Sequence, residues 1–110
     1  MAIESVSEAT FEEAVTREKK TVLVDFWAPW CRPCTLLAPV LEQVSCRHEG
    51  RLKVVKVNID ENQALAVAFG IRTIPTMVVF RGGERAGVIS GAMPAAQLEY
   101  ELRKLVPDLA

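Results

Sequence analysis

The chain has 110 residues, the length of one typical domain and enough to bury a core without help from disulfides or a metal ion. Half of the residues are hydrophobic, and 13 basic side chains balance 14 acidic ones, so the composition excludes a disordered chain and a partner bound through bulk charge, such as nucleic acid. Three cysteines are too few, and odd in number, for the disulfide scaffold of a small secreted protein.

The N-terminal segment MAIESVSEAT lacks the basic and apolar regions of a signal peptide, and no apolar run is long enough to cross a bilayer. We therefore expect a cytoplasmic protein that does not associate with membranes. The sequence contains no internal repeat, low-complexity tract or linker, so we predict a single domain over residues 1–110.

The N-terminal part of the chain predicts two strands around a helix. A short strand is expected at residues 2–5, followed by a helix within residues 7–20, where Thr10 and Glu13 have the spacing of a capping box. Residues 21–28, TVLVDFWA, are almost wholly apolar and rich in β-branched side chains. That pattern is typical of a central strand covered on both faces.

The rest of the chain continues the alternation. A helix is predicted over residues 33–48, with a kink at Pro39 and a stop at Gly50. The remaining predicted elements are a strand at 52–60, a helix at 65–70, two strands at 76–80 and 87–91 joined by a turn containing Gly82 and Gly83, and a helix at 94–106 with Ala96, Leu98, Leu102 and Leu105 on one face. This order predicts an α/β fold with a mixed sheet and helices on its faces.

Two cysteines, Cys31 and Cys34, lie where the predicted strand 21–28 leads into the predicted helix 33–48. Free N–H groups and the helix dipole at a helix N-terminus stabilise a thiolate, so Cys31 is predicted to be a nucleophile. Cys34, one turn further in, has the spacing of a resolving thiol. A C-x-x-C motif beside a β-α-β pattern favours redox chemistry.

The cysteines could also bind a metal ion or form a structural disulfide. Cys31, Cys34, Cys46 and His48 are ligand types that suit zinc, but 12 residues of helix would separate Cys34 from Cys46 by about 18 Å. We therefore expect no metal site if the helix forms, with Cys46 a small apolar filler and His48 a solvated residue near the helix C-terminus. A structural disulfide between Cys31 and Cys34 would close too short a loop to stabilise the fold much.

Asp25 and Lys56 each interrupt an apolar predicted strand. Either residue could lie on a solvated strand face, and the long Lys56 side chain could reach water. In the functional interpretation, Asp25 is a buried carboxylate with its pKa raised by desolvation, near an amine on the neighbouring strand.

With these residues in view, the sequence resembles the thioredoxin family over essentially its whole length. The family's W-C-G-P-C motif corresponds to Trp30-Cys31-Arg32-Pro33-Cys34. Further matches are Val24-Asp25-Phe26-Trp27-Ala28, Ala38-Pro39, Val57-Asn58-Ile59-Asp60, Gly70-Ile71-Arg72, Ile74-Pro75-Thr76 and Gly91-Ala92.

The resemblance implies a thioredoxin-like fold and a protein-disulfide reductase, an electron carrier that contributes to cell redox homeostasis. A redox-active Cys31–Cys34 disulfide would be the redox centre, so no bound cofactor is expected. Electrons would come ultimately from NADPH through thioredoxin reductase and pass to the disulfides of client proteins. A monomer is the default expectation.

The resemblance also assigns roles to residues around the cysteines. Asp25 would be the general base that deprotonates Cys34, and Lys56 would tune it. The Ile74–Pro75 peptide bond would be cis and pack against the disulfide. Clients would dock on a surface formed by Trp30, Ile74, Pro75, Gly91 and Ala92.

The sequence departs from the usual family pattern beside the cysteines. Arg32 replaces a glycine and Thr35 a lysine; Arg32 and Pro33, which lie between the cysteines, are expected to tune the reduction potential. Arg32 should stabilise the Cys31 thiolate and make the disulfide a stronger oxidant, by about 20 mV at most, unless it is a neutral surface variation. Arg32 also motivates the alternative of an exchanger with a narrower client set. A second alternative is a binding or chaperone-like subunit without redox turnover.

Overall fold

The structure, a computed structural model that describes residues 3–109, contains five strands in one sheet. The strands are β1 (Glu4–Ser5), β2 (Thr21–Trp27), β3 (Leu52–Asn58), β4 (Thr76–Arg81) and β5 (Glu84–Ser90). Their order is β1-β3-β2-β4-β5. Strands β1 and β2 run parallel to β3, β4 is antiparallel to β2, and β5 is antiparallel to β4. The prediction of an α/β fold with a mixed sheet is confirmed.

Three α-helices cover this sheet: α1 (Arg32–Arg47), α2 (Gln63–Ala68) and α3 (Ala95–Leu105). The first face of the sheet packs against α1 and α3, whose Leu37, Leu41, Val44, Leu98 and Leu102 are buried in one apolar cluster with Leu23, Val54 and Met77. The second face packs against residues 11–15 and α2 through a cluster that includes Val22, Val24, Phe26, Val78 and Phe80, with Phe69 beside it. Helices therefore flank both faces, as predicted.

Strand β2 is the centre of the molecule. It pairs with β3 on one side and β4 on the other, and residues 21–26 are all buried. Burial on both faces of the sheet therefore explains the near-continuous apolar run of β2, as predicted. Four residues, 28–31, separate the end of β2 from the start of α1, so Cys31 lies just before this helix and Cys34 in its first turn.

The first predicted helix is the clearest local error. Residues 12–16 form a short π-helix (Glu12–Thr16), in which the Arg17 N–H donates to the Glu12 carbonyl 2.9 Å away. The predicted capping box is wrong: Phe11 is the N-cap residue, and the Thr10 hydroxyl accepts a hydrogen bond of 2.9 Å from the Ser7 N–H instead. That hydroxyl serves the preceding turn, so it does not cap the helix.

Smaller differences concern element ends. Strand β1 begins at Glu4, and residue 2 of the predicted strand lies outside the described residues. Strand β5 begins at Glu84 because Gly82 and Gly83, with φ of 60° and 85°, close a two-residue turn. In α3, Leu98 and Leu102 are buried and Leu105 packs against the core, as predicted, but Ala96 is exposed and Ala95 packs against the core instead.

Pro39 lies inside α1 without ending it. Within residues 3–109, no helix combines the length and the apolar character needed to cross a membrane.

Candidate active site

The two cysteines of the C-x-x-C motif lie at the N-terminus of α1. Cys31 is the N-cap residue with an extended backbone, and its N–H donates to the Ala28 carbonyl at 3.1 Å. Cys31 and Cys34 form a disulfide, with Cα atoms 5.3 Å apart. The predicted position of the pair, at the junction of a buried strand and a helix, is confirmed.

A backbone donor of α1 points at the sulfur of Cys31. The Cys34 N–H donates to Cys31 Sγ at 3.2 Å, in the way a helix N-cap side chain accepts a hydrogen bond. When the pair is reduced, the same N–H and the positive end of the helix dipole favour the thiolate form of Cys31. Of the two cysteine sulfurs, Cys31 Sγ is the one that accepts this backbone hydrogen bond.

The disulfide is buried in a small apolar cluster. Cys31 is 5% exposed and Cys34 is 2% exposed, and both pack with Ala28 against Ile59 and Ile74. Cys31 is therefore slightly more accessible than Cys34, the order expected for a nucleophile and a resolving thiol.

The Ile74–Pro75 loop borders Cys31. The Ile74–Pro75 peptide bond is cis, and the Ile74 carbonyl oxygen lies 3.8 Å from Cys31 Sγ. On its other side the loop is joined to residue 91, because the Gly91 N–H donates to the Pro75 carbonyl at 2.9 Å. The hydrogen bond and the sulfur contact bring residues from three distant parts of the sequence to one edge of the disulfide.

The predicted docking surface is only partly a surface. Trp30 is 69% exposed and Ala92 is exposed, whereas Ile74 and Gly91 are half-buried. Pro75 is buried, so its side chain lies beneath this surface rather than in it. The residues predicted to form the docking surface therefore range from exposed to buried.

Trp30 is held by a residue that sequence reasoning missed. Its indole N–H donates to Asp60 Oδ2 at 2.9 Å, across 30 positions of sequence. Trp30 follows β2 and Asp60 follows β3, and the carboxyl ends of neighbouring parallel strands meet at one edge of a sheet. The predicted strands therefore held a signal that could have found Asp60.

Asp25 is a buried carboxyl group beneath α1. It is 4% exposed, and strand alternation places its side chain on the first face with Leu23. Cys34 belongs to the buried stripe of α1 with Leu37 and Leu41, which packs on that face. The interpretation of Asp25 as a residue on a solvated strand face is therefore wrong.

Burial raises the pKa of Asp25 from 3.8 to about 7, and the positive charge of Lys56 opposes part of this rise. Among residues 3–109, Asp25 Oδ1 has no hydrogen-bond partner that would stabilise the ionised form. A carboxyl group with a pKa near neutrality exchanges its proton readily at neutral pH, which suits a general base.

Lys56 lies beside Asp25 in the sheet. The two residues are register partners on β3 and β2, so their side chains leave the same face. Lys56 is half-buried, and its Nζ lies 5.2 Å from the centroid of the Trp27 ring. The lysine is neither fully solvated nor fully buried, and its charge acts on Asp25.

Arg32 and Pro33 occupy the first two positions of α1 and are exposed. The Arg32 carbonyl accepts a hydrogen bond from the Thr35 hydroxyl at 2.9 Å. The guanidinium group is carried on the solvent side of the cysteine pair, where its charge is screened by water and salt.

The structure contradicts the interpretations of Cys46 and His48. Cys46 is exposed rather than an apolar filler. His48 is buried rather than solvated, with Nε2 2.9 Å from Glu99 Oε2 on α3. Val44 and His48 continue the buried stripe of α1, and Cys46 lies on the opposite side of the helix.

The zinc alternative required Cys46 to approach the C-x-x-C pair. Cys34 and Cys46 lie instead 12 residues apart on the single helix α1. In the described part of the chain, no group of three or more His, Cys, Asp or Glu side chains is arranged to hold a metal ion.

The chain is similar in sequence to known proteins over most of its length. The model of the family described as Thioredoxin matches residues 2–104. A protein named Thioredoxin from Synechocystis sp. is 48% identical over 103 residues, covering 94% of this chain and 96% of that protein. Thioredoxin 1 from Nostoc sp. is 46% identical with the same coverage. Thioredoxin M-type, chloroplastic, from Chlamydomonas reinhardtii is 43% identical over 91% of this chain and 71% of its own length.

Proposed function

The chain belongs to the thioredoxin family and is a protein-disulfide reductase, and from this premise we propose which residues carry each step. The observation that carries the proposal is the Cys31–Cys34 disulfide at the N-terminus of α1, with the Cys34 N–H directed at Cys31 Sγ. Cys31 is the nucleophile and Cys34 the resolving thiol.

The reaction moves two electrons to the client. The Cys31 thiolate attacks one sulfur of the client disulfide; a bond forms between the two sulfurs, and the second client sulfur leaves as a thiolate. Cys34 then loses its proton and attacks Cys31 Sγ, which re-forms the Cys31–Cys34 bond and releases the first client sulfur as a thiolate. Protonation of both client thiolates completes the reduction, and the Cys31–Cys34 pair is oxidised.

Asp25 is the proposed base for the second attack. Cys34 is 2% exposed, so its proton cannot pass easily to bulk water. Asp25 lies on the sheet face that the buried stripe of α1 covers, and its pKa is raised to about 7 by burial. Lys56 limits this rise in pKa through its charge, so that part of Asp25 is ionised and able to accept the proton at neutral pH.

The client binds at the edge of the disulfide next to the Ile74–Pro75 loop. Trp30 offers an exposed ring fixed by Asp60, and Ile74 offers a half-buried side chain beside Cys31. Gly91 and Ala92 complete this surface, and Pro75 supports it from below. A shallow apolar surface of this kind suits extended segments from many different proteins.

Arg32 and Pro33 set the reduction potential in this proposal. Arg32 is exposed at the start of α1, close in sequence to the nucleophile, and favours the reduced pair by stabilising the Cys31 thiolate. The pair is then slightly more oxidising than one with a neutral residue in this position.

Members of this family act with a thioredoxin reductase and with disulfide-containing proteins. We extend both partners to this chain, acting as a monomeric single domain over residues 1–110, with electrons from NADPH. A cytoplasmic location is part of the proposal, because reduction of client disulfides needs a compartment that keeps thiols reduced.

The test is turnover of a protein disulfide with NADPH and a thioredoxin reductase. Cys31→Ser should abolish turnover, and Cys34→Ser should stop after one attack and accumulate the mixed disulfide. Cys46→Ser is the matched control, because Cys46 is exposed and outside the pair. Full turnover in either Cys31→Ser or Cys34→Ser would refute the mechanism.

A further inference from the structure

A groove of about 170 Å³ opens on the second face of the sheet, beside the loop that leads to Ile74. Its lining includes Phe69, whose ring lies 5.7 Å from that of Phe80, and the buried side chain of Val78. The exposed arginines Arg72 and Arg85 line the same groove. The site therefore combines an apolar floor with a positively charged rim.

Within residues 3–109, the two arginines of this groove have no carboxylate partner. No acidic side chain is among its lining residues. Neither Arg72 nor Arg85 forms an ion pair with another residue of the described part of the chain, whereas Arg17, Arg47 and Arg81 are each paired with a carboxylate. Two unpaired guanidinium groups beside a small groove are complementary to a carboxylate.

The hydroxyl groups of Thr73 and Ser90 add hydrogen-bond donors to the same lining. Ser90 is the register partner of Thr76, at the end of the β4–β5 hairpin nearest the Ile74–Pro75 loop. Ser90 therefore lies in the part of the groove lining nearest the loop beside which a client would lie.

The groove begins close to the reacting sulfur. Arg72 precedes Ile74 by two residues, so their Cα atoms are within about 7.6 Å of one another. The Ile74 carbonyl oxygen is in turn 3.8 Å from Cys31 Sγ. An extended client chain rises about 3.3 Å per residue, so a side chain two to four positions from its attacked cysteine spans about 7 to 13 Å. That span is similar to these two separations taken together.

We propose that the groove formed by Arg72, Arg85 and Ser90 binds an acidic side chain of the client, two to four residues from the cysteine that Cys31 attacks. The inference rests on the proposed function, because it places the client beside the Ile74–Pro75 loop. It adds a sequence preference to a surface that is otherwise apolar and permissive.

Two synthetic disulfide peptides test the proposal. They differ only in a glutamate or a glutamine three residues from the attacked cysteine, and the single-turnover rate constant of the reduced protein is measured for each. The parent should reduce the glutamate peptide about two- to tenfold faster at low salt, as one or two exposed ion pairs would give. The preference should fall as salt is raised.

Variants assign the preference to the groove. The double variant Arg72→Gln/Arg85→Gln should bring the ratio of the two rate constants to about one. Arg103→Gln, an exposed arginine on α3, is the matched control and should keep the parent's ratio. The charge reversal Arg72→Glu/Arg85→Glu should favour a peptide with lysine at the same position.

Equal rate constants for the two peptides in the parent would overturn the groove proposal and leave the proposed function intact, because both peptides would still be reduced. A preference that persists in the double variant would also overturn it and assign the effect to another cation, such as Arg32.

Discussion

The buried carboxyl group of Asp25 predicts that Asp25→Ala stabilises the protein at and above neutral pH. A difference of one in pKa corresponds to 1.36 kcal/mol, so raising the pKa of Asp25 from 3.8 to about 7 makes its ionised form cost about 4 kcal/mol of folding free energy. Alanine leaves unfilled space beneath α1 and loses part of this gain. We expect a net increase of about 1 to 3 kcal/mol in the free energy of unfolding.

The pH dependence identifies the cause. The pKa of Asp25 is higher in the folded than in the unfolded chain, so the folded protein holds this proton more tightly. The contribution of protonated Asp25 to the free energy of unfolding of the parent is therefore fully present below about pH 4 and is lost as the pH rises to about 7. Asp25→Ala lacks this loss, so its advantage over the parent should grow through that range and become constant above it.

The measurement is denaturant unfolding of the oxidised protein at a series of pH values, because Cys31 and Cys34 do not titrate while they are bonded. Asp108→Asn is the control, since Asp108 is an exposed carboxylate near Arg81 and should give a small difference. In parallel, the rate of disulfide reduction by Asp25→Ala should fall near neutral pH. A stability difference between Asp25→Ala and the parent that stays constant from pH 4 to pH 8 would refute the account of Asp25 as a buried carboxyl group with a raised pKa.

Two further predictions concern charges at either end of α1. Arg32→Gly should lower the reduction potential by up to about 20 mV, measured by equilibration with a thiol redox buffer, because the Cys31 thiolate loses a stabilising charge. A potential equal to or above that of the parent would contradict the proposed sign. Glu99→Gln should lower the free energy of unfolding by about 1 to 3 kcal/mol, because the carboxylate of Glu99 contacts both Arg47 Nη1 and the buried His48 Nε2 at 2.9 Å. Glu101→Gln is its control, since the Lys104 partner of Glu101 is exposed, and similar losses in the two variants would exclude a special role for the His48 contact.

The position of the active site could be predicted because strong patterns meet there. A strand covered on both faces has a near-continuous apolar sequence, and β2 follows that pattern closely. The apolar spacing of α1 is equally regular. The strand and the helix on either side therefore predicted the position of the junction that holds Cys31 and Cys34. These features depend on local sequence alone.

His48 and Cys46 show where residue type misled the prediction. The buried stripe of α1 runs through Leu37, Leu41 and Val44, and the same spacing continues to His48. Cys46 lies two residues away, which is about 200° around the helix. Residue type suggested an exposed histidine and a buried cysteine, but the phase of the helix decided their burial.

The hydrogen bond between Trp30 and Asp60 was not predicted, for a different reason. It depends on the parallel register of β2 with β3, in which Asp25 opposes Lys56 and Trp27 opposes Asn58. The two strands were predicted to be neighbours, but their register was not predicted, so the sequence indicated only that the residues after β2 and β3 lie at one edge of the sheet. Contacts of this kind come from topology rather than from local pattern.

The burial that makes Asp25 costly also accounts for its proposed role. An exposed carboxyl with a pKa of 3.8 would be ionised at neutral pH but would hold a proton from Cys34 only weakly. Cys34 is 2% exposed and packs on the same face of the sheet, so a nearby group must take that proton within the protein. Placing Asp25 on the central strand β2 raises its pKa to about 7, and Lys56 on β3 keeps the carboxyl from becoming wholly neutral. The stability that Asp25→Ala restores is therefore, in this account, the cost of a base able to work on a thiol that water does not reach.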